Sequence, residues 1–203
     1  MQYWCDFGTI FATRGALICC TKYIIFQALS GDIKLISIPG LSPLTVRNKQ
    51  RSYETIMMLL PTPQVWGNQI IIETPKKNYT SADYEILFEK SNFQYGYERY
   101  QLIKNLTEDL IPPGVNTIHM FGTDIDTALH YQYESDVDFD SEPKTINGNG
   151  DGTIPLHSLL CAGNKWRNFN YGKSFTEKPY SLRSHAGILK DFQFIQDVIG
   201  YLL

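Results

Sequence analysis

An aspartate in a glycine-flanked turn and a histidine 34 positions later are the residues of this 203-residue chain best placed to do chemistry. Asp151 lies in Asn147-Gly148-Asn149-Gly150-Asp151-Gly152-Thr153-Ile154-Pro155, and His185 follows Ser184 just ahead of apolar residues at helical spacing. A buried carboxylate that orients an imidazole and stabilises its positive charge lets that imidazole take a proton from a serine. The two residues would therefore supply the acid and the base of a hydrolytic triad. In one arrangement of such triads the serine comes first along the chain, in Gly-x-Ser-x-Gly, and the acid and base follow in that order. No such motif occurs in the 203 residues. The nucleophile is expected outside this chain, upstream of Met1.

Elements that would carry this pair are legible around it. Asn116 to Gly122 reads as a buried strand, Leu156 to Leu160 starts a helix after the Asp151 turn, and Lys173 to Thr176 lies in a strand leading to His185. Ile188, Phe192, Ile195, Ile199 and Leu202 recur at helical spacing and predict a final helix with one buried face. Strand, acid turn, helix, strand, histidine, helix is the tail of an α/β-hydrolase, so the expected class is α/β, a partial α/β-hydrolase comprising the C-terminal half of the sheet. Residues 1–203 are expected to form a single partial domain in which 33–110 is a cap or insertion. That stretch is broken by Pro39, Gly40, Pro43, Pro61 and Pro63 around Ser52 to Leu60, whose apolar positions fit one helix. Further short elements are a strand at Thr9 to Ala12, a turn at Gly15 with a helix or strand after it, and a strand around Ile70-Ile71-Ile72. A helix over Thr80 to Lys90 opens on the capping pattern Thr80 with Asp83, and another covers Tyr97 to Asn105.

Composition removes several function classes. The chain is 43% hydrophobic and 19% charged with a net charge of -3, and its lysines and arginines are scattered, so no nucleic-acid partner is expected. Cys5, Cys19, Cys20 and Cys161 lack metal spacing, adjacent cysteines such as Cys19-Cys20 rarely bridge to each other, and neither metal nor cofactor is expected. Met1 to Cys20 carries Asp6 and Arg14 in a broken apolar run and does not read as a signal peptide. Asn78-Tyr79-Thr80 and Asn105-Leu106-Thr107 are sequons, which makes Asn78 and Asn105 glycosylation acceptors in a secretory compartment.

Ordered markers along the chain add a family resemblance. They are Ser30-Gly31-Asp32, Gln50-Arg51-Ser52 leading to Leu59-Leu60-Pro61, Glu73-Thr74-Pro75 with Asn78-Tyr79-Thr80 and Asp83-Tyr84, Pro112-Pro113-Gly114-Val115, Phe121-Gly122-Thr123, Tyr131 to Glu134, Gly150-Asp151-Gly152-Thr153-Ile154 and Ser184-His185. In order and spacing they resemble the C-terminal portion of the lecithin:cholesterol acyltransferase family, nearest its lysosomal phospholipase A2 branch. The resemblance implies an α/β-hydrolase fold whose Ser-Asp-His triad cleaves a phospholipid acyl ester and passes the acyl group to water or a lipid alcohol at a membrane or lipoprotein surface. It carries Asp151 over as the acid and His185 as the base, and implies a lysosomal or extracellular protein. Two departures stand out. Gly15-Ala16-Leu17-Ile18-Cys19-Cys20 replaces a glycine-rich turn, and Ile146 replaces the cysteine that would bridge to Cys161, so that disulfide is expected to be lost.

Each sharp assignment has a plain counterpart. Gly150-Asp151-Gly152 alone is an ordinary turn; the following strand, Ser184-His185 and the resemblance turn it into a triad acid. His119, His130 and His157 are structural. Asp136 to Asn147 mimics a calcium loop but has Ser141 where glycine is required and Asn147 where a glutamate is required, so Glu134 to Glu142 is expected to be a solvated acidic loop. Met57-Met58-Leu59-Leu60 is core rather than a lipid contact. Beside the lipid acyltransferase stand two rivals: a truncated or degenerate non-catalytic member with a lipid- or partner-binding role, and another α/β-hydrolase such as a neutral lipase.

Overall fold

A computed structural model of the chain describes residues 3–6, 9–12, 43–51, 53, 57–108, 111–168 and 170–202. The expected turn at Gly15, the element after it and the Gly15 to Cys20 departure lie outside these residues. So do Ser52 and 54–56 of the helix expected over 52–60, in which Met57 and Met58 are helical. The fold is mixed α/β and divides into two compact units, one comprising 1–19, 110–127 and 148–203, the other 20–109 and 128–147.

The first unit holds the acid and the histidine. Strands β1 (Tyr3–Asp6) and β2 (Thr9–Ala12) form an antiparallel hairpin. Strand β5 (Thr117–Thr123) runs parallel to β8 (Phe175–Ser181) in unbroken register from Thr117↔Phe175 to Thr123↔Ser181. Successive side chains of a strand point to opposite faces, and β5 is buried on both. Met120 packs with Tyr180, Ile188 and Phe194, while Phe121 packs with Ile154 and Leu159. Helices α6 (Leu156–Leu159) and α7 (Cys161–Trp166) follow the acid turn, with Trp166 wholly buried against Phe175. A short 3-10 turn (Gly187–Lys190) and α8 (Phe192–Leu202) end the chain.

The buried face of α8 is not the expected one. Phe194 is 3% exposed, whereas Phe192, Ile195 and Ile199 are 73%, 41% and 50% exposed. Asp191 is extended, with ψ 128, and separates the 3-10 turn from α8. A helical count begun at Ile188 therefore loses phase before it reaches Phe192.

In the second unit α1 (Pro43–Arg51) and α2 (Pro63–Trp66) precede a small hairpin of β3 (Ile72–Glu73) and β4 (Asn78–Tyr79). Helices α3 (Tyr84–Lys90), α4 (Gln94–Ile103) and α5 (Asn105–Glu108) follow. The capping box forms as the sequence predicts. Thr80 accepts from the Ala82 N–H at 3.3 Å, Asp83 accepts from the Thr80 N–H at 2.8 Å, and the cap leads through a 3-10 turn into α3. Tyr84, Leu87 and Phe88 face a core with Trp66, Ile71, Ile72, Tyr79 and Tyr100, which also takes in Met57 and Leu60. Strands β6 (Ile125–Gln132) and β7 (Lys144–Gly150) join this hairpin in the order β4-β3-β6-β7, with Ile72 beside Tyr131 in parallel.

The acidic stretch Glu134 to Glu142 is only partly solvated. Asp136 accepts from Thr74 Oγ1 at 2.8 Å and from the Lys76 N–H at 2.9 Å, Phe139 is 4% exposed, and Asp140 pairs with the buried Arg47. Carboxylates with donors so close are held by the fold, a relation that local sequence does not display. Among the described residues no helix is long and apolar enough to cross a membrane.

Candidate active site

Asp151 follows β7 directly and is fully buried. A buried carboxylate is costly unless its oxygens find donors, and both do. Oδ1 accepts the backbone N–H groups of Thr153 at 2.9 Å and Ile154 at 2.7 Å, and Oδ2 lies 2.9 Å from His185 Nδ1. With the carboxylate ionised, Nδ1 must carry the proton, which leaves the lone pair on Nε2. The His185 side chain keeps 14% of its surface exposed. A buried acid behind a partly open, correctly protonated imidazole is the arrangement a general base requires.

The turn is shaped so that the acid can do this. Gly152 adopts φ +87, a left-handed conformation natural to glycine, and donates its N–H to Thr127 Oγ1 at 2.8 Å. Thr127 Oγ1 in turn donates to the Ile125 carbonyl at 2.9 Å. Ile154, 4% exposed, anchors the far side of the turn against Phe121. His185 is tied to the same place by its backbone, whose N–H donates to the Asp151 carbonyl at 2.8 Å. Ser184 is bonded to the start of the following 3-10 turn: its Oγ accepts from the Gly187 N–H at 3.1 Å and its carbonyl from the Ile188 N–H at 2.9 Å. Ile188 is completely buried, so the segment that carries the histidine is fixed at both ends.

Asp151 and His185 are thus brought together, whereas the other candidate residues stand apart from this pair. Asn78 and Asn105 are exposed, at the start of β4 and of α5; Asn78 lies in a two-residue strand rather than a loop. His119 is 2% exposed, 3.9 Å from Glu177, and His130 Nε2 is 3.4 Å from Glu73. Among the described residues no hydroxyl or thiol bonds to the His185 ring. Cys161 is disulfide-bonded, and because Ile146 has no thiol this is a different bridge from the one whose loss the sequence predicts. Sequence inspection also missed Thr127, which no motif marks, and the part played by Gly122, visible only as one of several markers.

The turn after β7 and the loop after β8 thus bring a buried carboxylate and a partly exposed histidine within hydrogen-bond distance. The lecithin:cholesterol acyltransferase family model matches residues 8–190, and the chain belongs to that family. It is 38% identical to the lysosomal phospholipase A and acyltransferase of Rattus norvegicus over 124 residues, which cover 61% of this chain and 30% of that protein, and 38% identical to the Homo sapiens counterpart over 124 residues, again 61% and 30%. With the Gallus gallus phosphatidylcholine-sterol acyltransferase it is 34% identical over 141 residues, 68% of this chain and 33% of the relative. The chain spans about a third of the length of the curated relatives it matches.

Proposed function

We propose that this chain is the acid- and base-bearing portion of a phospholipase and lipid O-acyltransferase built on the α/β-hydrolase fold, acting through a Ser-Asp-His triad whose serine lies outside the 203 residues. The observation that carries the proposal is the 2.9 Å contact from His185 Nδ1 to an Asp151 carboxylate whose other oxygen is held by two backbone N–H groups. In the reaction, His185 Nε2 takes the serine proton as the serine oxygen attacks the acyl carbonyl of a phospholipid. The tetrahedral intermediate expels the lysophospholipid oxygen, which receives that proton, and an acyl-serine remains. Water or a lipid alcohol then gives a proton to Nε2 and attacks the acyl carbon; the acyl–serine bond breaks, the serine oxygen takes that proton back from Nε2, and the fatty acid or a new ester is released. Asp151 keeps its charge throughout and stabilises the imidazolium. No metal or cofactor takes part.

Residues 33–110, whose described part consists of helices and one short hairpin, are proposed as the cap, and a membrane or lipoprotein surface as the source of substrate. The word lysosomal in the names of the phospholipase A and acyltransferase relatives, the exposed Asn78 and Asn105, and the Cys161 disulfide support a lysosomal or extracellular location, since such bridges persist in oxidising compartments. Secretory expression is expected to give a chain that moves faster on a gel after glycosidase treatment, with most of the shift removed by Asn78→Gln. Unchanged mobility of the treated wild type would count against a lumenal location.

The lack of a Gly-x-Ser-x-Gly motif in the 203 residues favours a second reading for the chain by itself, as a non-catalytic family member. The two are separated by assay on phospholipid vesicles. The chain alone is expected to release no fatty acid above background, while the same chain preceded in frame by a serine-bearing upstream segment releases fatty acid in a His185-dependent manner. Hydrolysis by the 203 residues alone, abolished in His185→Ala, would overturn the assignment of the serine to an outside segment. Inactivity of the extended protein would favour the non-catalytic reading.

A further inference from the structure

Asp124 occupies the corner between β5 and β6 with φ +63, a left-handed conformation that disfavours any side chain with a Cβ. Aspartate tolerates it where its carboxylate bonds locally, and here the bonding is unusually complete. The Asp124 N–H donates to Asn149 Oδ1 at 2.8 Å while Asn149 Nδ2 donates to Asp124 Oδ1 at 2.8 Å, closing a reciprocal ring. Thr123 Oγ1 donates to Asp124 Oδ2 at 2.9 Å, and the Ser181 side chain donates to the same carboxylate. These donors, Asn149 foremost and then Ser181 and Thr123, hold the Asp124 carboxyl below the usual carboxylate range.

The partners belong to the strand ends that deliver the catalytic pair. Asn149 on β7 is two residues before Asp151, and Ser181 closes β8 four residues before His185. Ile125, next to Asp124, forms a parallel bridge with Asp151, and the Thr123 carbonyl accepts the Leu182 N–H at 2.8 Å. One corner therefore grips both approaches to the acid–base pair. We infer that Asp124 is a positioning residue that fixes the acid turn and the histidine loop at their mutual spacing by holding Asn149 and Ser181 from a single corner. The inference rests on the proposed roles of Asp151 and His185. A corner that served the fold alone would have no need of partners on both of these strands.

The test uses the isotopically labelled 203-residue chain and the low-field resonance of the His185 Nδ1 proton, which a strong bond to a carboxylate moves far downfield. Its assignment is made by its loss in His185→Gln. Wild type is expected to show the resonance. Asp124→Gly keeps the left-handed corner without strain but removes the carboxylate, so it should melt within a few degrees of wild type and yet lose the resonance or broaden it into the baseline. Asp124→Asn retains an acceptor for the Asn149 amide and should restore it. Should Asp124→Gly not fold, Asn149→Ala breaks the same ring from the other strand and is expected to give the same loss. An unchanged resonance in a folded Asp124→Gly or Asn149→Ala would overturn the positioning role and leave the acid–base pair standing. Absence of the resonance from folded wild type would overturn the pair and the inference together.

Discussion

In an enzyme that joins this chain to its serine, Asp151→Asn is expected to lower kcat by about three to four powers of ten with little change in stability. The reason lies in the two backbone donors on Oδ1. An asparagine at this position must turn its carbonyl oxygen toward the N–H groups of Thr153 and Ile154, because its amide nitrogen would set donor against donor. The amide NH2 then faces His185 Nδ1. That nitrogen can accept its proton only by giving up its own, so the imidazole is forced into the tautomer with the hydrogen on Nε2 and cannot take the serine proton. The loss of about 4–5.5 kcal/mol of transition-state stabilisation follows from tautomer and charge rather than from unfolding.

His185→Ala is expected to be at least as damaging, and the double variant little worse than His185→Ala alone, since members of one catalytic unit fail together. Asp140, although it lies in the acidic stretch, is a poor control, because it pairs with the buried Arg47. Asp126→Asn serves better: the residue is exposed on β6, and near-normal turnover is expected. Measurement of kcat for the four variants on phospholipid vesicles decides the matter. Near-normal turnover for Asp151→Asn, or effects of the two triad variants that multiply independently, would sink the assignment.

What the sequence made legible were features whose cause is local. Thr80 and Asp83 form their capping box because both partners sit within one turn, and β2 occupies the expected Thr9 to Ala12. The buried strand expected at Asn116 to Gly122 is β5, shifted by one residue. Asp151 and His185, paired in the sequence by what their residue types could do together, do meet in the fold. What remained hidden depends on partners far along the chain. Strand β7 reads Lys-Thr-Ile-Asn-Gly-Asn-Gly, and its last four residues, poor strand formers, are extended with β6 alongside. The Asp124–Asn149 ring joins residues 25 positions apart that carry no motif. In α8 the error was one of phase: Phe192, Ile195 and Ile199 form a stripe by spacing, but the extended Asp191 resets the helix and Phe194 turns inward instead.

Gly122→Ala is expected to damage stability and turnover together, unlike the triad variants. Gly122 pairs with Tyr180 in the β5–β8 ladder, and a Cβ added there would stand 1.9 Å from the Arg183 carbonyl oxygen and 2.8 Å from its carbon, with Asp151 Cβ 3.3 Å away. The obstructing atoms are backbone, so no rotamer change clears them. Either β5 shifts against β8 or the Arg183 to His185 segment moves off Asp151. Overpacking of this kind costs about 1–3 kcal/mol, which for a chain of this size lowers Tm by roughly 2–12 °C. The same displacement carries the imidazole away from its carboxylate, so kcat in the serine-bearing enzyme should fall by at least about tenfold even at temperatures where the variant is folded. Gly200→Ala is the counterpart: a Cβ at that helical position meets nothing within 4 Å, and a gain of about 0.5–1 kcal/mol with unchanged kcat is expected. Calorimetry and kcat on the two variants test the point. A Gly122→Ala protein with the Tm and turnover of wild type would show that the glycine does not set the approach of the histidine loop to the strand.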